Sequence, residues 1–226
     1  MNSSKLFTFV RLLIPLCIFF VGSSVFAETT FEKIKRTGKV TVGTEAAFPP
    51  FEFVEDGKIV GYGKDILDYI VADMKVELNQ LDLPWQGILP GVLAGKFDFV
   101  ATSVSIRAER AKKYAFTVPI AEGTNWVMKR SGDDSINAPD DLSGKVVCTQ
   151  LASGSEKATK EWEENMKSRG LKGFKELKLF TAHPEATLAL ANGTCDAQTQ
   201  TVPNLAVVAK KQKGAVSYTH LRAHET

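Results

Sequence analysis

Phe97-Asp98-Phe99-Val100-Ala101-Thr102-Ser103-Val104-Ser105-Ile106-Arg107-Ala108-Glu109-Arg110 is the segment around which the rest of the chain is organised. An apolar strand runs into a loop bearing hydroxyls, and the loop ends at the start of a short helix that carries an arginine. That order of parts makes an anion site. Ser103 and Ser105 offer hydroxyl donors, the helix start offers unpaired N–H groups, and Arg110 can fork onto a carboxylate through two parallel hydrogen bonds. Read alone, Arg110 can instead merely solvate a helix face, the commoner fate of a surface arginine, so the surrounding chain has to decide.

Working back from this stretch, residues 39–44 alternate like a strand, and residues 51–54 read as a second strand entering a turn. Between them Pro49 and Pro50 stop either strand from continuing and project Phe48 and Phe51 from a loop. Apolar residues recur at helical spacing over residues 64–74, residues 76–81 form the next strand, and a short helix from Trp85 leaves through Gly95. Strand, helix, strand, helix, strand with short connections is the pattern of a parallel sheet covered by helices. In such sheets ligands sit beyond the carboxyl ends of the strands. The loops after Thr44, Leu81 and Ala101 share that edge, so Phe48, Trp85 and residues 103–110 are expected to converge. Either aromatic taken singly reads as core; their common position after strand ends gives them the second reading.

Working forward, the chain changes character past Tyr114. Residues 116–123 are extended and hold no helix period, and a second alternating set follows. Strands are expected at 146–150, 176–180 and 197–201, and helices at 155–168, 184–191 and 203–210. Two α/β lobes result, with residues 28–118 as the first, 119–123 as the hinge and 124–214 as the second, and a cleft between lobes is a natural ligand site. In the second lobe Gln150, Ser153 and Gly154 precede a helix and form a weak anion nest, for which helix capping by Ser155 is the plain alternative.

The two ends fall outside this frame. Lys5 and Arg11, an apolar core over residues 12–21 and the small-residue site ending at Ala27 read as an export signal over residues 1–27. Its removal takes away two basic residues and no acid, leaving 26 of each sign. A neutral chain gives no electrostatic case for nucleic acid or an anionic membrane. Residues 215–226, with His220 and His224, show no apolar period and read as a non-native read-through tail, so no metal site is read there. Two cysteines remain after the signal, Cys148 and Cys195. In an oxidising compartment they are a disulfide candidate, with two unrelated buried thiols as the alternative.

Taken in order and spacing, the motifs Val42-Gly43-Thr44, Phe48-Pro49-Pro50-Phe51-Glu52-Phe53, Gly61-Tyr62, Trp85-Gln86-Gly87-Ile88-Leu89-Pro90, Gly95-Lys96-Phe97-Asp98, Glu109-Arg110, Asp141-Leu142-Ser143-Gly144-Lys145 and Cys195-Asp196-Ala197 resemble one family closely. It is that of the periplasmic substrate-binding proteins of polar amino-acid ABC importers, the family 3 solute-binding proteins. The resemblance covers about residues 40–210. It implies a type II periplasmic-binding-protein fold, two lobes closing over one zwitterionic ligand, a monomer without cofactor, a periplasmic location and a membrane permease as partner. By the same similarity Arg110 with Ser105 holds the ligand carboxylate, Ser103 adds a polar contact, and Phe48 and Trp85 flank the ligand. Gln150, Ser153 and Gly154 complete the site, and a cysteine pair in the same two places in some branches supports a bridge.

Two departures stand out. Where the family usually has an aspartate for the ligand ammonium, this chain has Thr201. Glu45 is then the carboxylate available to compensate, or the ligand lacks an ordinary ammonium, as an opine, an ectoine-like compound or a betaine does. The family's return to the first lobe also has no counterpart after Lys210, which reads as truncation. Catalysis is not expected, since the serines near the cleft have no histidine partner and His183 sits at a helix start in a capping or solvated role. The competing readings are a dehydratase-like lyase using Glu45 as acid or base and the sensor domain of a receptor.

Overall fold

The structure, a computed structural model, describes residues 28–212 and 216–219. The expected export signal and, of the expected tail, residues 215 and 220–226 lie outside the described residues.

The chain opens with α1 (Thr30–Thr37), not anticipated from the sequence, which begins in a reciprocal cap: Thr29 Oγ1 accepts from Glu32 N–H and the Glu32 carboxylate accepts from Thr29 N–H. β1 (Lys39–Thr44) follows, then β2 (Ala47–Phe48), β3 (Glu52–Glu55) and β4 (Lys58–Val60), which form a small antiparallel sheet in sequence order. α2 (Tyr62–Met74), β5 (Glu77–Asp82), α3 (Trp85–Leu93) and β6 (Phe99–Val100) complete the first lobe, with the parallel order β5-β1-β6. α4 (Ala108–Ala111) is one turn at the end of the anion-site loop.

Phe97 explains why two glycines sit where they do. Its ring is buried between Gly43 on β1 and Gly91 on α3, and a Cβ added at either would come within 2.6 Å and 2.7 Å of ring atoms. Glycine at both points lets helix, strand and ring close into one layer. Asp98 then fastens the strand entrance, accepting from Thr41 N–H at 2.8 Å and from Lys33 Nζ at 2.7 Å. The same buried ring and short carboxylate thus set where residues 99–107 leave the sheet.

Residues 112–124 cross to the second lobe without helix or strand. There β7 (Asn125–Arg130), β8 (Val146–Gln150), α5 (Gly154–Ser168), β9 (Glu176–Phe180), α6 (His183–Ala191), β10 (Ala197–Thr201) and α7 (Val202–Lys211) follow in turn. The sheet order is β11-β7-β10-β8-β9, where β11 is Val216–Thr219. β8 lies between β10 and β9 and is parallel to both, while β7 lies antiparallel to β10 and β11 antiparallel to β7. Helices cover both faces, so β7 is apolar on both: Val127 packs with Val147, Trp162 and Met166, and Met128 with Leu190, Leu205 and Val216. Each such side chain contributes about 1.5–3 kcal/mol on burial.

Two expectations are corrected here. Residues 215–226 were set aside as a tail, yet Val216–Thr219 is paired with β7, Val216 opposite Arg130 and Thr219 opposite Val127, so this sheet runs past residue 214. Backbone pairing carried that segment in, which an apolar period does not reveal. The bridge between Cys148 and Cys195 is not formed either. Both are buried free thiols, with Cys148 Sγ donating to Ala186 O at 3.5 Å and Ala197 O at 3.3 Å. The neighbouring strands do bring the sulfurs together, since Cys195 is the largest influence on the Cys148 thiol and, with burial, pushes its pKa up.

Candidate functional site

The strand-end loops of both lobes meet at a buried cleft. Glu45 comes from the loop after β1, Phe48 from β2, Trp85 from the start of α3, Ser103 and Ser105 from the loop after β6, Arg110 from α4, and Gln150, Ser153 and Gly154 from the end of β8, the turn after it and the start of α5. Thr201 closes the ring from the end of β10. All ten residues expected at a site therefore line one cavity. Ser155, His183 and Gln200 line it as well and were not expected. Its volume is about 30 Å³, room for on the order of two water molecules and too little for an amino acid. The lobes have to part to admit one.

Bonds across the cleft hold them shut. The Gln150 amide, itself donating to Thr181 O at 3.1 Å, also donates to Glu45 Oε1. Arg110 donates to Ser105 O in its own lobe and to Ala152 O in the other, each at 3.2 Å, and its guanidinium lies 5.4 Å from the Trp85 ring centroid. Arg107 donates to Gly154 O at 2.5 Å, Gln86 to Thr181 O at 3.0 Å, and Asn204 to Pro49 O at 2.8 Å. Gly154 is a point of close approach, where an added Cβ would stand 2.7 Å from Ser105 Oγ.

The charged groups belong to the first lobe. Arg110 forms no ion pair among the described residues, and burial, then the nearby Arg107, lowers its pKa. Glu45 is 7% exposed, and its carboxyl is pushed up to about 7, chiefly by burial, with Asp82 and Glu52 adding to the rise and the Gln150 bond opposing it. Glu52 was read only as a strand residue, yet it is a buried carboxylate behind the site. It accepts from Ser103 N–H and Ser103 Oγ at 3.1 Å and from Thr102 Oγ1 at 3.2 Å, and burial pushes it up to about 7 as well. The Ser103 hydroxyl expected to face a ligand is thus already donating to Glu52. Gly63 leaves the space that the Glu52 carboxyl fills.

The second-lobe wall is built differently. Ser153, not Ser155, caps α5: its Oγ accepts from Glu156 N–H at 3.0 Å and donates to Gln150 O at 2.7 Å. His183 is not a solvated cap. Its ring is buried, lies 5.4 Å from the Phe48 ring of the other lobe, and burial lowers its pKa to about 3, so it is neutral. His183 Nδ1, Gln200 Nε2 and Thr201 Oγ1 are all buried without a hydrogen-bond partner. An unpaired buried polar atom costs about 1–3 kcal/mol, and these three leave the wall with hydrogen-bonding capacity that no other described protein group takes up.

Two α/β lobes with strand-end loops enclosing one cleft define a two-lobed binding-protein fold. The chain belongs to the bacterial extracellular solute-binding proteins, family 3, whose profile matches residues 40–217. A probable histidine-binding protein of Campylobacter jejuni is 30% identical over 156 residues, covering 69% of this chain and 57% of that protein. An ancestral arginine-binding protein solved with arginine superposes with a TM-score of 0.73 at 31% identity, covering 80% of this chain and 78% of that one. An ancestral amino acid-binding protein described as a precursor of cyclohexadienyl dehydratase gives a TM-score of 0.77 at 28% identity, covering 85% and 82%. The chain spans about half the length of the curated relatives it matches.

Proposed function

We propose that this protein binds one α-amino acid or related zwitterion between its lobes and delivers it to the permease of an ABC importer, outside the cytoplasmic membrane after cleavage near Ala27. The ligand class includes amino acids, opines, and ectoine- or betaine-like compounds, and the protein acts as a monomer without cofactor. Arg110 is the observation that carries this reading: a half-buried guanidinium in the cleft, stacked on Trp85, whose partners are two carbonyls and no carboxylate. A ligand carboxylate replaces those carbonyls with a forked, charge-assisted pair. Glu45, which is freed from Gln150 when the lobes part, then takes the ligand's cationic head.

Isothermal calorimetry against a panel of amino acids, opines and betaines is expected to find saturable 1:1 binding of at least one. No binding across the panel contradicts the reading. The lyase alternative is favoured by one observation, a buried Glu45 poised near neutral pH as an acid or base would be. Turnover of prephenate or arogenate that disappears in Glu45→Gln would replace binding with catalysis.

A further inference from the structure

We infer that the hollow between α4 and the first turns of α5 is a second binding site, separate from the amino-acid cleft, for a doubly charged oxyanion, either a phosphate group or a dicarboxylate. The inference goes beyond the function proposed above and does not depend on it.

The hollow measures about 320 Å³, against about 30 Å³ for the inner cavity, and Arg110 and Ser153 line both, so the two adjoin. The first lobe contributes Arg107, Glu109 and Arg110, and α5 contributes Glu156, Lys157 and Lys160, so four cations share the hollow with two carboxylates. The acids are taken up by the lysines. Glu156 pairs with Lys160, while Glu109 and the next acid along the helix, Glu161, stand 3.8 Å and 2.9 Å from Lys157. The two arginines are left over. Arg107 makes one hydrogen bond among the described residues, to Gly154 O; its Nε is buried without a partner, and Glu161 stays at 3.9 Å, beyond hydrogen-bond reach. Arg110 bonds only the carbonyls of Ser105 and Ala152. Each guanidinium is a fork of N–H donors shaped for paired oxygens, yet the two make only three bonds between them, all to carbonyls. Burial first and the charge of Arg107 second lower the Arg110 pKa, and Glu109 opposes them less, so two like charges are held close without a full counter-charge.

The chemistry of the occupant follows from that surplus. A cation is repelled by it, and a neutral molecule leaves it unanswered. A halide answers part of the charge but has no pair of oxygens for the Arg107 fork. A dianion with two or more oxygens meets both demands: it offsets the surplus and accepts charge-assisted bonds from the idle N–H groups. Because the lining comes from both lobes, such an ion is held by the closed form better than by the open one.

The test titrates inorganic phosphate and, separately, succinate by calorimetry into the wild-type protein, Arg107→Gln and Lys160→Gln, at constant ionic strength made up with sodium chloride, with circular dichroism confirming that each variant is folded. Saturable 1:1 binding of at least one of the two anions is expected, and the tighter of them says whether the site takes a phosphate group or a dicarboxylate. Arg107→Gln, which gives up the charged fork, is expected to weaken that binding roughly tenfold or more, and Lys160→Gln, which removes part of the surplus charge, several-fold. No saturable binding of either anion overturns the inference, as does an affinity unchanged in both variants. Loss of anion binding when an amino acid from the calorimetric panel fills the cleft also overturns it, because the anion then sits on Arg110 from within. None of these outcomes bears on the proposed function, which stands or falls with the amino-acid, opine and betaine panel.

Discussion

The two walls of the cleft solve the same problem with opposite chemistry. The first-lobe wall holds charge, Arg110 and Glu45, and supports its loop from behind with a third ionisable group, Glu52. The second-lobe wall holds no charged group: Gln150, Gln200 and Thr201 are neutral, and His183 is kept neutral by burial. On the proposed reading, charge on one side only gives the head of a zwitterionic ligand one place to go. The difference also separates affinity from selectivity. Removing a charge from the first wall is expected to abolish binding, whereas changes in the second re-rank ligands.

The largest effect is expected for Arg110→Ala. A buried ligand carboxylate left without its cation costs about 3–5 kcal/mol, roughly a hundredfold or more in Kd. Calorimetry with the best amino acid is expected to show binding lost, while the melting curve moves little, because the Arg110 partners are only two carbonyls. Unchanged affinity would remove the first wall's role.

Glu52→Ala is expected to act on the same wall through the fold. It leaves Ser103 N–H and the hydroxyls of Thr102 and Ser103 unpaired, a loss of about 2–3 kcal/mol measurable by urea unfolding. Ligand affinity falls with it because residues 102–105 lose their anchor.

The smallest effect lies in the pH profile of stability. Glu45 and Glu52 rise from 4.5 to about 7 on folding, and His183 falls from 6.5 to about 3. At about pH 5.5 the unfolded chain holds a proton on His183 and almost none on the two glutamates, whereas the folded chain holds one on each glutamate and none on His183. The folded state carries about one proton more, so stability declines as pH rises through this window, by roughly 1.4 kcal/mol per pH unit. Glu45→Gln removes one of the two folded-state protons and is expected to flatten the slope. A profile that keeps its slope in Glu45→Gln would show that Glu45 is not buried as described.

Much of this was legible in the sequence, and the failures have physical reasons. The strands at 146–150, 176–180 and 197–201 are found where period and turn residues put them, because each spans a buried sheet between clear breaks. The ten site residues converge because strand-end loops of a parallel sheet share an edge. Glu52 escaped notice since it sits between Phe51 and Phe53, and a strand flanked by two aromatics does not say which face is inside; Glu52 turns inward and Phe53 is only half-buried. His183 escaped because its ring packs against Phe48 of the other lobe, a contact 135 positions apart that no local pattern records. Ser103 lines the cleft, and its hydroxyl partner, Glu52, comes from another sheet, which the spacing of the two residues does not reveal. The pairing of Val216–Thr219 rests on backbone bonds, which its side-chain pattern does not announce.

Hydrogen–deuterium exchange with and without a saturating amount of the amino acid that binds most tightly tests most directly whether a ligand is clasped between unlike walls. Exchange is expected to slow at residues 102–107 of the first lobe and at residues 150–156 and 200–204 of the second, all together and all lost in Arg110→Ala. Protection confined to one lobe, or retained in Arg110→Ala, would contradict it.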